Sequence, residues 1–222
     1  MFLELAEALA CPRCGPPQGL IVLVDQLAER RVVEGRLDCP NCESRFPIEA
    51  GVVSFGPSER VDPGDAPALA AHPERSSIVA EPDQAILLAA LLGLHEASGY
   101  VLLGPGLETV VADLANLAAE SEFVLLSAGP PPLSLGANIL RSRVSVVCSP
   151  HPERLPLLNN RLVGAGLAAA WPNLCLAAYA AIRPGSNLAV LDPLPGTEAL
   201  LAGAGAEVLA SEDRAIAVRR VH

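Results

Sequence analysis

Cys11-Pro12-Arg13-Cys14 is followed by twenty-four residues and then by Cys39-Pro40-Asn41-Cys42, so two copies of a C-P-x-C turn face each other across a hairpin-length insert. A C-x-x-C turn presents two sulfurs to one ion because the intervening pair lets the backbone curl round it. Two such turns supply four thiolates, the complete tetrahedral shell of a Zn²⁺ ion at metal–sulfur distances of about 2.3 Å. With Cys11, Cys14, Cys39 and Cys42 filling every position, none is left for water, and the ion they predict is structural rather than catalytic. Two alternatives are weaker. A redox C-x-x-C sits at a helix start after a strand, whereas both pairs here lead into turns followed by polar residues. Disulfides belong to oxidising compartments, and no other feature of the chain signals secretion.

Outward from the cysteines, Leu20–Val24 and Arg31–Leu37 read as two strands carrying the metal-binding turns. After the second turn, Phe46, Ile48, Val52 and Phe55 form an apolar face, with Gly51 supplying a turn. Leu3, Leu5, Ala8 and Leu9 make a short amphipathic lead-in expected to pack beside these strands. Metal binding contributes about 10 to 16 kcal/mol to the folding of small modules of this kind, so the first fifty-odd residues are expected to fold only with the ion.

The run LAEALACPRCG (residues 5–15), the strand pair, and LDCPNCESRFPIEAGVVSF (residues 37–55) resemble the small zinc-ribbon proteins that activate methyltransferases in archaea and eukaryotes. Those methyltransferases modify tRNA, rRNA and release factors, and bacteria carry similar ribbons as short stand-alone proteins. The resemblance covers Met1 to about Gly56 and includes the F-P-I-x-x-G tail. It implies a ribbon that performs no chemistry but covers an apolar face of a methyltransferase partner.

Composition narrows the partners. The formal charge is −10 and aromatic residues make up 3% of the chain, which argues against a phosphate-backbone partner and leaves no stacking platform for single strands. Arg30, Arg31, Arg36 and Arg45 share their segment with eight acidic residues, so an RNA-binding ribbon is disfavoured and nucleic acid is not expected as a partner. Glu4 and Glu7 interrupt the amino terminus where a secretory signal needs a positive start and an unbroken apolar run. The charge-free stretch Leu162–Ile182 is broken by Pro172-Asn173 and reads as a strand, a loop and a helix, not a membrane span. Cys148 and Cys175 read as small core residues. A cytoplasmic protein is expected.

From Pro57 to Pro82 the sequence is rich in Pro, Ser, Asp and Glu and has no sustained period, the signature of a linker with at most a weak turn near Ala66–Ala71. His72 and Glu74 within it read as solvated. A second domain, 83–222, then opens with helical spacing at Ile86, Leu87, Ala90, Leu91 and Leu94, closed by Ser98-Gly99. Beyond Tyr100–Gly106 the pattern alternates. Helices are predicted at Glu108–Ala119, Leu133–Arg141 and Leu174–Ile182. Strands are predicted at Glu122–Ala128, Val144–Cys148, Arg161–Leu167 and Asn187–Leu191. Ala206–Ala210 and Ala215–Val221 read as an antiparallel edge pair. Strands alternating with helices imply an α/β fold whose parallel sheet is covered on both faces: here a Rossmann-like domain of five parallel strands and a C-terminal antiparallel hairpin, preceded by the small ribbon of residues 1–56.

That order resembles the class I S-adenosylmethionine-dependent methyltransferases. YVLLGPG (residues 100–106) matches their first motif, SPHPERLPLLNN (149–160) the segment before their fourth strand, and AAYAAIRPGSNLAVLDP (177–193) their L-x-P-G-G-x-L-x-V-x-D-P helix and strand. The resemblance implies a cofactor site at Gly104 and Gly106, at Ser127 or its neighbour Ala128 where the family places the acidic residue that holds the ribose, and at Ser149 within the Cys148-Ser149-Pro150 run that replaces the Asp usually contacting the adenine. It also shows losses. The third glycine of the loop falls at Glu108, where a carboxylate would crowd and repel the methionine carboxylate. The family's F-D near the fourth strand becomes Asn160-Arg161-Leu162, with no N-P-P-Y-like or His/Glu catalytic motif after it. Asp192, His95 and His151 read as caps or surface residues, and no catalytic residue is assigned.

The expectation is therefore a ribbon fused to a methyltransferase-like domain with a decayed S-adenosylmethionine site: a pseudoenzyme serving as scaffold or activator. It would bind a protein partner, or pack one of its domains on the other. The competing reading is an active methyltransferase with the ribbon acting on its own catalytic domain and a protein or small-molecule substrate. The number of associated chains is not legible.

Overall fold

A computed structural model describes residues 1–56, 83–95, 98–128, 143–150 and 154–222. The predicted linker, the predicted helix Leu133–Arg141 and His151 lie outside these residues. No described helix is long and apolar enough to cross a membrane.

The chain opens with a short 3₁₀ turn, Leu3–Ala8, and a meander of four antiparallel strands: β1 Ile21–Ala28, β2 Arg31–Asp38, β3 Arg45–Glu49 and β4 Val52–Ser54. Two of its turns are as tight as a hairpin allows. Glu29 and Arg30 (φ 47° and 65°) join β1 to β2, and Ala50 and Gly51 (φ 48° and 79°) join β3 to β4. A two-residue turn with positive φ at both positions matches the right-handed twist of the flanking strands.

The second half supplies α1 Gln84–Leu92, β5 Gly99–Leu103, α2 Val111–Leu117, β6 Ser121–Ser127, β7 Val144–Cys148, β8 Leu162–Ala168, α3 Pro172–Ala181, β9 Ile182–Leu191, α4 Thr197–Gly203, β10 Ala206–Glu212 and β11 Ala215–Arg220. Helix α1 ends earlier than the sequence suggested because Gly93 takes the left-handed conformation (φ 67°) and closes it. The strand expected at Asn187 starts at Ile182, directly after α3.

Among the described residues, the eleven strands form one sheet in the order β1-β2-β3-β4-β7-β6-β5-β8-β9-β11-β10. This corrects the expectation of a five-stranded parallel sheet with a hairpin. β7, β6, β5, β8 and β9 are parallel, and β11 and β10 close one side antiparallel. On the other side β4 runs parallel to β7, with Val52, Val53 and Ser54 opposite Val146, Val147 and Cys148. Left bare, β7 would be an edge strand with unpaired backbone groups. The meander covers that edge.

Parallel strands buried on both faces should be apolar at every position. Here Leu102, Val124, Leu126 and Val147 face one side, and Val101, Leu103, Phe123, Leu125 and Val146 the other. Helices α1 and α2 cover the second face. On the first face α3 is joined by the amino-terminal segment, which does more than flank the ribbon strands. Ala10 donates to the Pro156 carbonyl at 3.0 Å, Leu158 to the Ala8 carbonyl at 2.8 Å, and Phe2 N–H to Ser145 Oγ at 3.1 Å. A single apolar cluster consequently contains Leu5, Leu9, Leu37, Phe46 and Val53 together with Leu102, Val124, Leu174 and Leu188.

Candidate metal centre and cofactor edge

The two C-P-x-C turns close in the same way. Gly15 N–H donates to the Cys11 carbonyl at 2.8 Å and Glu43 N–H to the Cys39 carbonyl at 3.0 Å; the residue after each second cysteine is left-handed, Gly15 at φ 70° and Glu43 at φ 57°. The four sulfurs of Cys11, Cys14, Cys39 and Cys42 lie within 4.8 Å of one another. Cys11 and Cys42 are 3.6 Å apart and Cys14 and Cys39 3.8 Å apart. Four thiolates about 2.3 Å from a central ion are separated by about 3.8 Å in a tetrahedron. The cluster has the donor set and the spacing to hold a metal ion.

Burial pushes the Cys11 thiol up to about 12, with the backbone N–H groups of Cys14 and Arg13 pulling the other way. At Cys42 burial also opposes the thiolate, but hydrogen bonding with the Ser44 hydroxyl and backbone and with the Cys14 and Cys39 thiols together outweighs it and holds the thiol down to about 6. A central cation would favour the thiolate at all four. Two polar side chains that spacing alone does not reveal contact the sulfurs: Asn41 Nδ2 donates to Cys14 Sγ at 3.3 Å, and Cys42 Sγ donates to Ser44 Oγ at 3.2 Å. Their signal in the sequence is a polar residue inside or just after a C-x-x-C turn.

The residues expected at a cofactor site lie at the carboxyl ends of the parallel strands, where the strand order reverses between β5 and β8 and ligands of open α/β sheets bind. Gly104 follows β5, Ser127 ends β6, and Ser149 follows β7. Ser149 N–H donates to the Ser127 carbonyl at 2.8 Å, and both residues are buried. Gly104 is closely packed. Its N–H donates to the Gly166 carbonyl at 2.8 Å, and a Cβ there would stand 2.8 Å from Leu167 Cδ2. Gly106 is exposed and left-handed at φ 93°, and its N–H donates to Glu108 Oε2 at 2.9 Å. The loop's own carboxylate thus occupies an N–H that an open cofactor loop would offer to its ligand. Asp192, left-handed at φ 45°, donates its N–H to the Arg214 carbonyl at 2.8 Å, and its carboxylate lies 3.6 Å from the Arg214 guanidinium. It is tied to the β10–β11 turn.

No family model matches the chain, and no curated protein matches it. Solved structures do. A geranyl diphosphate methyltransferase, solved with geranyl diphosphate and sinefungin, aligns over 64% of this chain and 79% of its own, at 11% identity and a TM-score of 0.52. The 1,6-didemethyltoxoflavin-N1-methyltransferase of Burkholderia thailandensis, solved with 1,6-didemethyltoxoflavin and S-adenosylhomocysteine, aligns over 67% of this chain and 80% of its own, at 15% identity and a TM-score of 0.50. The [4+2]-cyclase SpnF aligns over 57% of each chain at 17% identity and a TM-score of 0.49, so this chain spans little more than half of that protein. At these identities the likeness is one of fold, and the fold is that of the α/β methyltransferases, with a four-cysteine cluster on strands added to its sheet.

Proposed function

We propose that this protein is a non-catalytic scaffold or activator, in which a structural Zn²⁺ module is fused to a methyltransferase-like sheet that no longer grips S-adenosylmethionine well. The observation that carries this reading is the hydrogen bond from Gly106 N–H to the Glu108 carboxylate. A methionine carboxylate approaching the loop would have to displace Glu108 and overcome its like charge. Ser127 compounds the loss. A hydroxyl cannot accept from both ribose hydroxyls as a carboxylate does, and hydrogen bonds to charged groups contribute about 1.5 to 3 kcal/mol, or roughly one to two powers of ten in affinity. Zn²⁺ is the ion of choice for four thiolates at tetrahedral spacing. The parallel pairing of β4 with β7 favours a ribbon whose partner is the chain's own sheet.

Titration calorimetry with S-adenosylmethionine tests the reading. Silence at millimolar ligand is the expected result, and micromolar binding would replace the scaffold with an active methyltransferase. That second reading is favoured by the fold itself and by the left-handed Gly106, the backbone geometry such a loop uses. Elemental analysis is expected to give about one zinc per chain, the number that four thiolates can hold.

A further inference from the structure

The four sulfurs are not equivalent. Cys11 and Cys39 are buried in the apolar cluster that joins the two halves of the chain, Cys14 is half-buried, and Cys42 is exposed. An oxidant arriving from solvent therefore reaches the outer pair, Cys14 and Cys42, before Cys11 and Cys39, and Cys42 is the more exposed residue of that pair. The sulfur nearest to it for which a distance is fixed is Cys11 Sγ, 3.6 Å away in the opposite turn.

Resting on the reading of the cluster as a structural zinc centre, we propose that Cys42 is an oxidation site through which a hydroperoxide opens the centre, with Cys11 as the resolving thiol. With hydrogen peroxide, the Cys42 thiolate attacks one oxygen; the O–O bond breaks, an S–O bond forms, and hydroxide leaves and is protonated by the buffer. The Cys11 thiolate then attacks the Cys42 sulfenic sulfur, forming the S–S bond and expelling the second oxygen as hydroxide, which is also protonated. Two thiolates lose two electrons, and one peroxide becomes two waters. An ion held by the four sulfurs would lose two of its ligands and pass to solvent. The consequence reaches the α/β sheet, because β2, β3 and β4 carry Leu37, Phe46, Ile48 and Val53 into the same cluster as Cys11 and Cys39, and β4 pairs directly with β7.

The side-chain donors make the site of attack testable without removing a ligand. A hydrogen bond to a thiolate lowers its nucleophilicity; Asn41 donates to Cys14, and the Ser44 hydroxyl, which accepts from the Cys42 thiol, would turn to donate once Cys42 is a thiolate. The full-length protein would first be assayed for bound zinc, then treated with hydrogen peroxide in the presence of a chromogenic zinc chelator, with the first disulfide mapped by mass spectrometry. The expected result is about one Zn²⁺ released per peroxide consumed, a Cys11–Cys42 disulfide before any other, release about fivefold faster in Ser44→Ala, the equivalent of one hydrogen bond of about 1 kcal/mol, and an unchanged rate in Asn41→Ala. Zinc retained through millimolar peroxide overturns the proposal, as does acceleration by Asn41→Ala in place of Ser44→Ala. So does a first disulfide formed within one C-x-x-C turn or at Cys148. A protein isolated without zinc would instead overturn the metal reading beneath it.

Discussion

Phe55 donates its backbone N–H to the Cys148 carbonyl at 2.8 Å, continuing the seam between β4 and β7 beyond the last residue of β4. Its ring meets Phe46 edge-on at 4.9 Å between centroids, so the residue that leaves the ribbon strands is anchored to both the meander and the parallel sheet. Phe46 is almost wholly buried, and Phe46→Ala is expected to remove about 3 to 5 kcal/mol. Because the cluster around it spans both halves, calorimetry should show one unfolding transition moving as a unit. Two separated transitions, only one of them shifted, would mean that the halves fold independently.

Two substitutions in the cofactor loop, at Gly104 and at Glu108, should have opposite effects. Gly104→Ala pushes a methyl into Leu167 and is expected to destabilise the fold by about 1 to 3 kcal/mol, as overpacking does, with no dependence on added S-adenosylmethionine. Glu108→Gly releases the Gly106 N–H and removes the competing carboxylate. It should leave the melting temperature within a few degrees and bring S-adenosylmethionine binding into the range that calorimetry detects. A Glu108→Gly protein as silent as the parent would show that the loop carboxylate is not what closes the site.

The alternation of apolar strands and helices made the parallel core readable, since both periods are local and each strand is buried on both faces. What period alone could not give was the fate of the edges. Val52 reads as part of the apolar face of a small module that ends at Phe55, and nothing local indicates that Val52 and Val53 pair with Val146 and Val147, more than ninety residues away. The α4 helix, Thr197–Gly203, is a single short stretch in a run of Ala, Leu and Gly that fits helix and loop alike. At the metal centre, spacing identified the four sulfurs because ligand geometry is set by the covalent chain. Glu108 was legible as a misfit for a ligand, whereas its hydrogen bond to Gly106 depends on a rotamer that sequence does not specify.

Removal of the metal is expected to act at a distance. The contribution of an ion to such modules, about 10 to 16 kcal/mol, is comparable to the whole stability of an ordinary domain, about 5 to 15 kcal/mol. Treatment with a strong chelator should abolish hydrogen-exchange protection throughout β2, β3 and β4. It should also lower protection along β7, whose outer edge then loses its partner, while β8 and β9, farther from the seam beyond β6 and β5, change least. Unchanged protection in β7 would disconnect the centre from the seam.

The last prediction concerns the opposite end of the parallel strands, where Tyr100 of β5 stands in register with Glu122 of β6. Burial raises the Glu122 carboxyl above its ordinary value near 4.5; the Tyr100 hydrogen bond opposes the rise, Glu4 adds to it, and Arg31 and Arg30 oppose it. A carboxyl whose pKa is higher folded than unfolded binds more protons in the native state between the two values. Its contribution is therefore fully present below about pH 4.5 and is lost as the pH rises through the folded value. Glu122→Gln keeps an acceptor for the Tyr100 hydroxyl and removes the buried charge. Its urea midpoint should match the parent's at the acid end and exceed it increasingly towards neutral pH. The thiolates and any ion they hold are common to both proteins, so the difference between the two profiles isolates Glu122. A variant that instead loses ground as the pH rises would show that the ionised carboxylate is stabilised by Arg31 and Arg30 more than it is penalised by burial.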